Sequence, residues 1–175
     1  GEPGMVNALA AAAAAQALGI EDKTISDGLA SVTPVRGRGD IRQLQNGIRL
    51  IDDSYNASPS SVMAALNLLS SADAPRTAVL ADMLELGDEA VPYHCNIGDR
   101  IAELGIERLL AVGELSKHIS DLSNSQTRHY KDVAALIADS PAFGANETVL
   151  IKGSRAMQLD RFVDAMCESL GGTSC

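Results

Sequence analysis

Residues 50–59 read Leu50-Ile51-Asp52-Asp53-Ser54-Tyr55-Asn56-Ala57-Ser58-Pro59. An apolar run stops at two carboxylates, crosses a polar loop and meets Ser58-Pro59, the signature of a capped helix start. A second junction repeats the form: Val149-Leu150-Ile151 gives way to Lys152-Gly153-Ser154-Arg155 ahead of another helical pattern. Handovers of this kind belong to open parallel sheets, which bind ligands in the crevice beyond the carboxyl ends of their strands. One junction offers carboxylates, an amide and hydroxyls. The other offers Lys152 and Arg155, cations suited to phosphate or carboxylate.

Working outward, residues 41–45 and 48–52 flank Asn46-Gly47, a strong hairpin signal with a two-residue loop. Helix 60–70, capped by Ser58 with Pro59 at its first position, leads to a strand at 77–81. Helix 89–104 leads to strand 108–112, a helix near 116–122 to strand 127–130, and helix 132–138 to strand 148–151. Helix 157–170 follows, and the tail 171–175 is expected to fray. Ahead of the hairpin, the alanine-rich run 7–18 predicts a helix with Asn7 as N-cap and Gly19 as its stop. Asp22 is expected to cap a second helix that Pro34 ends, and residues 34–39 read as a linker. The expectation is an α/β chain in two parts. Residues 1–33 form two helices left from a preceding domain. Residues 34–175 form a Rossmann-like, doubly wound, mostly parallel sheet of about six strands that opens with the hairpin.

Composition narrows the function. With 46% hydrophobic residues and 21% charged, the 175-residue chain can bury a core; with 3% aromatic residues and no Trp, aliphatic side chains must fill it. The net charge of −9 argues against a nucleic-acid surface, which needs clustered Lys and Arg. No apolar stretch reaches the ~20 residues that span a bilayer. Three cysteines without ligand-like spacing read as reduced thiols of a cytoplasmic protein.

Side chains at the junctions carry the chemistry. Adjacent carboxylates on a strand point to opposite faces, so at most one of Asp52 and Asp53 faces the crevice, and Asp53 is the better placed. Tyr55 and Asn56 follow on the loop; Ser58 reads first as a helix cap and second as a contact. Lys152, Ser154 and Arg155 read as anion-handling, with cations on a solvated turn as the alternative. Asp82-Met83-Leu84-Glu85-Leu86-Gly87 adds carboxylates to the same edge. His94 reads more readily as an exposed helical histidine than as a chemical group, and His118 and His129 as surface residues. No Walker-type phosphate loop, no Ser-His-Asp order and no metal-ligand spacing is present.

Together, Asn7-Ala8-Leu9-Ala10-Ala11, Gly37-Arg38, the Asp52–Ala57 segment, Asp82–Gly87, His94 and Lys152–Arg155 resemble the C-terminal part of a Mur ligase. That resemblance implies a three-domain ATP-dependent ligase that activates a carboxylate as an acyl phosphate, which an incoming amine then attacks. Within the family it points to the member that joins D-alanyl-D-alanine to UDP-N-acetylmuramoyl-tripeptide in the cytoplasm, and a monomer is expected. It implies that Asn7, Arg38 and Asp53 contact ATP. Tyr55, Asn56, Ser58, Lys152, Ser154 and Arg155 would line the dipeptide and phosphate side, with Lys152 and Arg155 supporting catalysis. ATP and Mg²⁺ would be held mainly by a central domain, so the isolated chain is expected to be inactive. Where the family shows a His-Asn pair ahead of Asn7, this chain has Pro3 and Gly4. A non-catalytic module that binds a small anion is the competing reading.

Overall fold

The computed structural model describes residues 2–33, 35–123 and 125–171. The chain forms two compact units, Gly1–Pro34 and Val35–Cys175. The first contains helices α1 (Glu2–Ala17) and α2 (Asp22–Ala30). α1 begins five residues ahead of Asn7, so Asn7 is an exposed residue inside the helix and not its cap. Gly19 does end α1, at a φ of +75° that favours glycine. The cap of α2 is Glu21, without a side-chain bond. Asp22 instead sits in the first turn, where its charge suits the helix dipole and its carboxylate accepts from Gln16 Nε2 at 3.0 Å. The expected stop at Pro34 and the expected fraying of residues 172–175 lie outside the described residues.

In the second unit the strands are β1 (Asp40–Gln43), β2 (Arg49–Asp53), β3 (Arg76–Ala81), β4 (Arg108–Val112), β5 (Gln126–Tyr130) and β6 (Thr148–Lys152). The helices are α3 (Pro59–Ser70), α4 (Ala90–Leu104), α5 (Lys117–Leu122), α6 (Val133–Asp139) and α7 (Asp160–Ser169). The six strands form one sheet in the order β1-β2-β6-β3-β4-β5, parallel except for the β1–β2 hairpin. Leu50, Val79, Leu110, Val149 and Ile151 pack with α6 and α7 on one face. Ile51, Leu80, Leu109, Ala111 and Leu150 pack with α3, α4 and α5 on the other. Connections that step outward along the sheet thus use one face and the return to β6 uses the other, as a constant crossover hand requires.

Local chemistry explains the boundaries. Ser58 caps α3 through a reciprocal box with Ser61, Pro59 occupies its first position, and Val62, Ala65, Leu66 and Leu69 bury one face at helical spacing. Asp132 caps α6 by accepting from Ala135 N at 2.8 Å. The hairpin differs from expectation: Leu44 N donates to Ile48 O at 2.8 Å, which leaves three loop residues, Gln45–Gly47, rather than two. Gln45 N donates instead to Leu170 O at 3.0 Å, so the end of the chain draws that residue out of the ladder. The last helix also starts late, because Gln158 adopts a left-handed φ of 54° between a short turn at Arg155–Met157 and α7.

Candidate functional site

β2 and β6 end side by side, with Asp53 paired in register to Lys152 and Lys152 to Leu80 of β3. Side chains alternate along a strand, so Asp53 and Lys152 share the face of Ile51 and Leu150. Lys152 Nζ donates to Asp53 Oδ2 at 2.6 Å and to the Asn56 carbonyl at 2.9 Å. The lysine side chain is 3% exposed and that of Asp53 27%. Lys152 is therefore no solvated turn cation. A buried ammonium needs partners, and these two acceptors provide them.

Asp52 turns to the opposite face and is fully buried. Its Oδ1 accepts from Ser54 Oγ at 2.6 Å and Ser54 N at 3.2 Å, and its Oδ2 lies 3.3 Å from Arg42 Nη2. Arg42 also binds Asp40 at 2.8 Å. This network braces the underside of the 53–58 loop.

Above it, Tyr55 is 43% exposed. The Arg38 guanidinium carbon stands 4.0 Å from its ring centroid and that of Arg155 5.9 Å, both within cation–π range. Gly37 makes the approach of Arg38 possible. Its φ is +75°, a side chain there would begin 3.2 Å from Tyr55 Cβ and N, and its carbonyl accepts Tyr55 N at 2.9 Å. Arg155 also pairs with Asp160 at 2.8 Å while its side chain stays 58% exposed.

Other expected residues turn out to be committed within the protein. Ser154 Oγ accepts from Leu84 N at 2.8 Å and its own N donates to Asp82 O at 3.1 Å, which ties the β6–α7 junction to the β3–α4 loop. Gly153 serves close packing, because a Cβ there would lie 2.6 Å from Ala81 Cβ. Asn56 Oδ1 accepts from Ala57 N at 2.9 Å. The Ser58 hydroxyl is occupied at the head of α3. Asp82 is buried and accepts from Ser116 N at 2.7 Å.

His94 is not exposed. It is fully buried, with Nδ1 donating to Ala90 O at 2.6 Å and Nε2 accepting from Met83 N at 3.0 Å, which fixes the orientation of the ring. Sequence reasoning missed this brace and the one from Ser116. Each joins a loop to a residue that only the fold brings near.

Arg38, Asp53, Tyr55, Asn56, Lys152, Ser154 and Arg155 thus gather along the carboxyl edge of β2 and β6, while Asn7 belongs to the first unit. An apolar groove between α6 and α7, lined by Ile137, Phe143, Phe162 and Met166, lies toward the amino edge and carries no charged side chain. The rim is the candidate site because it combines fixed cations, an open aromatic face and a carboxylate.

The family described as "Mur ligase, glutamate ligase domain" matches residues 37–155. The UDP-N-acetylmuramoyl-tripeptide–D-alanyl-D-alanine ligase of Escherichia coli (strain K12) is 37% identical over 97% of this chain and 38% of its own length. The ligase of that name from Bacillus subtilis (strain 168) is 31% identical over 97% and 39%. Among solved structures, a MurF from Acinetobacter baumannii superposes with a TM-score of 0.80 at 28% identity, covering 96% of this chain and 38% of that one. MurF from Thermotoga maritima in complex with ADP gives 0.74 at 25% identity, covering 91% and 36%. The chain spans well under half the length of these relatives. A family match over most of the sheet unit places the chain in the Mur ligase family, as a bearer of its glutamate ligase domain.

Proposed function

We propose that this chain is the closing domain of a ligase that adds D-alanyl-D-alanine to UDP-N-acetylmuramoyl-tripeptide at the expense of ATP, in the cytoplasm and as a monomer, for peptidoglycan precursor synthesis. The observation that carries the reading is the 37% identity, over 97% of the chain, to a protein whose name states that reaction. In this reading a tripeptide carboxylate oxygen attacks the γ-phosphorus of ATP, forming an acyl phosphate and releasing ADP. The dipeptide amine then attacks the acyl carbon, phosphate leaves, and the amine loses its proton. Negative charge concentrates on the transferring phosphoryl group, and cations brought in by closure stabilise it there.

The rim suits that task. Arg38 and Asp53 face the nucleotide; Tyr55, Asn56, Lys152, Ser154 and Arg155 form the dipeptide and phosphate side. Asn7 belongs to the first unit, whose two helices (residues 1–33) are the end of the central ATP-binding domain. Among the described residues no group of three His, Cys, Asp or Glu side chains is placed to hold a metal. ATP and its Mg²⁺ are held mainly by the central domain of the ligase, with Arg38 and Asp53 adding contacts to the nucleotide from this chain. Among the described residues no helix is long and apolar enough to cross a membrane.

The test is phosphate release by the full-length protein that carries this chain. Release that requires ATP, the UDP-linked tripeptide and D-alanyl-D-alanine together is the expected result. Release indifferent to the dipeptide would overturn the reading. The isolated 175-residue chain should show no turnover and at most weak ATP binding. Micromolar affinity by calorimetry would favour the small-anion binding module instead.

A further inference from the structure

Lys152 is the most obvious cation at the rim, yet it is the least available one. Its ammonium has three protons to donate. Two go to Asp53 Oδ2 at 2.6 Å and the Asn56 carbonyl at 2.9 Å, and only 3% of the side chain meets solvent. The acceptors flank Tyr55 in sequence, Asp53 at the end of β2 and Asn56 on the loop that follows. The third proton has almost no exposed surface through which a ligand oxyanion could reach it. Arg38 and Arg155 present the reverse case. Both are exposed, and both guanidinium groups lie against the half-open Tyr55 ring, at 4.0 and 5.9 Å. A guanidinium carries five N–H donors, so one lying over an aromatic face can still take a planar partner, and Arg155 retains donors beyond the Nη1 that meets Asp160 at 2.8 Å.

We infer that Lys152 is a positioning residue that fixes Asp53 and the loop through Asn56, which leaves the exposed Arg38 and Arg155, already assigned to the nucleotide and the dipeptide side, as the cations that meet the oxyanion. The inference rests on the ligase reading for its kinetic consequences, but its structural half does not. The oxyanion recognised is either the carboxylate of the incoming dipeptide or a phosphate group of the nucleotide.

The structural half is read on the 175-residue chain, with far-UV circular dichroism as the check on folding. In ¹H–¹⁵N spectra, Lys152→Met should move the amide signals of residues 53–57, and Arg155→Gln should leave those of 53 and 56 in place. Unmoved 53–57 signals in folded Lys152→Met would overturn the positioning role, whatever reaction the full-length protein performs.

The kinetic half uses the full-length protein. Displacing the loop should lower kcat about 100-fold in Lys152→Met, with KM for ATP and for the dipeptide changed less than about threefold. Asp53→Asn combined with Lys152→Met should be no more than about threefold worse than the worse single variant, because both act through one contact. Lys152→Arg, which keeps the positive charge and has donors enough for both acceptors, should recover at least about tenfold of the loss.

Each arginine should behave otherwise. Arg38→Gln and Arg155→Gln should each raise a KM about tenfold or more. Loss of preference for D-alanyl-D-alanine over its C-terminal amide would identify a carboxylate contact, and a raised KM for ATP a phosphate contact. Multiplicative effects of Lys152→Met and Asp53→Asn, a KM rise as the main effect of Lys152→Met, or no KM change in either arginine variant would each overturn the inference.

Discussion

The two ends of one sheet use similar side chains to different effect. At the amino end, Arg76 reaches Glu107 at 2.8 Å and also donates to the carbonyls of Ser70 and Gly105. Buried Glu147 accepts from the Thr77 hydroxyl and the Gly144 N–H, with Arg108 3.9 Å away. These charges are spent on tying strand starts to helix ends and loops. At the carboxyl end Lys152 and Asp53 are just as closely paired, but Tyr55, Arg38 and Arg155 beside them stay open to solvent. A charged cluster thus marks a site only where some of its bonding capacity is left over.

That contrast is breakable by substitution. Removing Glu147 strands a hydroxyl and an amide at the quiet end. Glu147→Ala should therefore cost about 3 kcal/mol of stability, read as a lower urea midpoint, while turnover per folded full-length molecule holds. A stable variant with impaired turnover would reverse the roles of the two ends.

At the rim, Arg38→Gln with Arg155→Gln should lower kcat/KM of the full-length protein about 100-fold, near 2.7 kcal/mol of transition-state stabilisation. Its thermal midpoint should barely move, since both side chains are exposed and surface substitutions are usually within about 0.5 kcal/mol. A large drop in that midpoint would show that the open cations are structural after all.

Ser58 separates cap from contact. Ser58→Ala should cost about 1 kcal/mol of stability through the lost cap of α3, and Ser58→Asp, which caps equally well, should restore it. Turnover lost in both variants would return Ser58 to the ligand side.

The smallest effect is a matter of pH. The Arg76 guanidinium, bonded to Glu107, holds that carboxyl below its usual range. A lowered folded value means that the pair stabilises the fold above the ordinary glutamate range, and that this contribution is lost as pH falls through the lowered value. Urea midpoints of Glu107→Gln and the unsubstituted chain should therefore differ at neutral pH and converge in acid. A gap that widens in acid would contradict the assignment.

Much of this was legible in the residue pattern. Alternation of apolar runs with helical ones yields the parallel sheet, because signals such as Ser58-Pro59 act on their own neighbours. Strand alternation alone separates Asp52 from Asp53, and the two do part as that rule requires. What the pattern hides is set at long range. Gln45 leaves the hairpin ladder for the carbonyl of Leu170, so the loop has three residues. His94 looks like a surface histidine until the loop after β3 brings Met83 N to its ring. Lys152 reads as an anion contact until the register sets it against Asp53. Local propensity cannot report which polar groups will already be occupied once distant elements meet.

Hydrogen exchange on the full-length protein tests the central claim, that the carboxyl rim and not the amino end meets the reaction. With a non-hydrolysable ATP analogue, the UDP-linked tripeptide and D-alanyl-D-alanine all present, amides of residues 53–57 and 153–155 should slow, and those of 105–108 and 144–148 should not. Protection confined to the amino-end segments, with the rim exchanging as fast as before, would contradict the account.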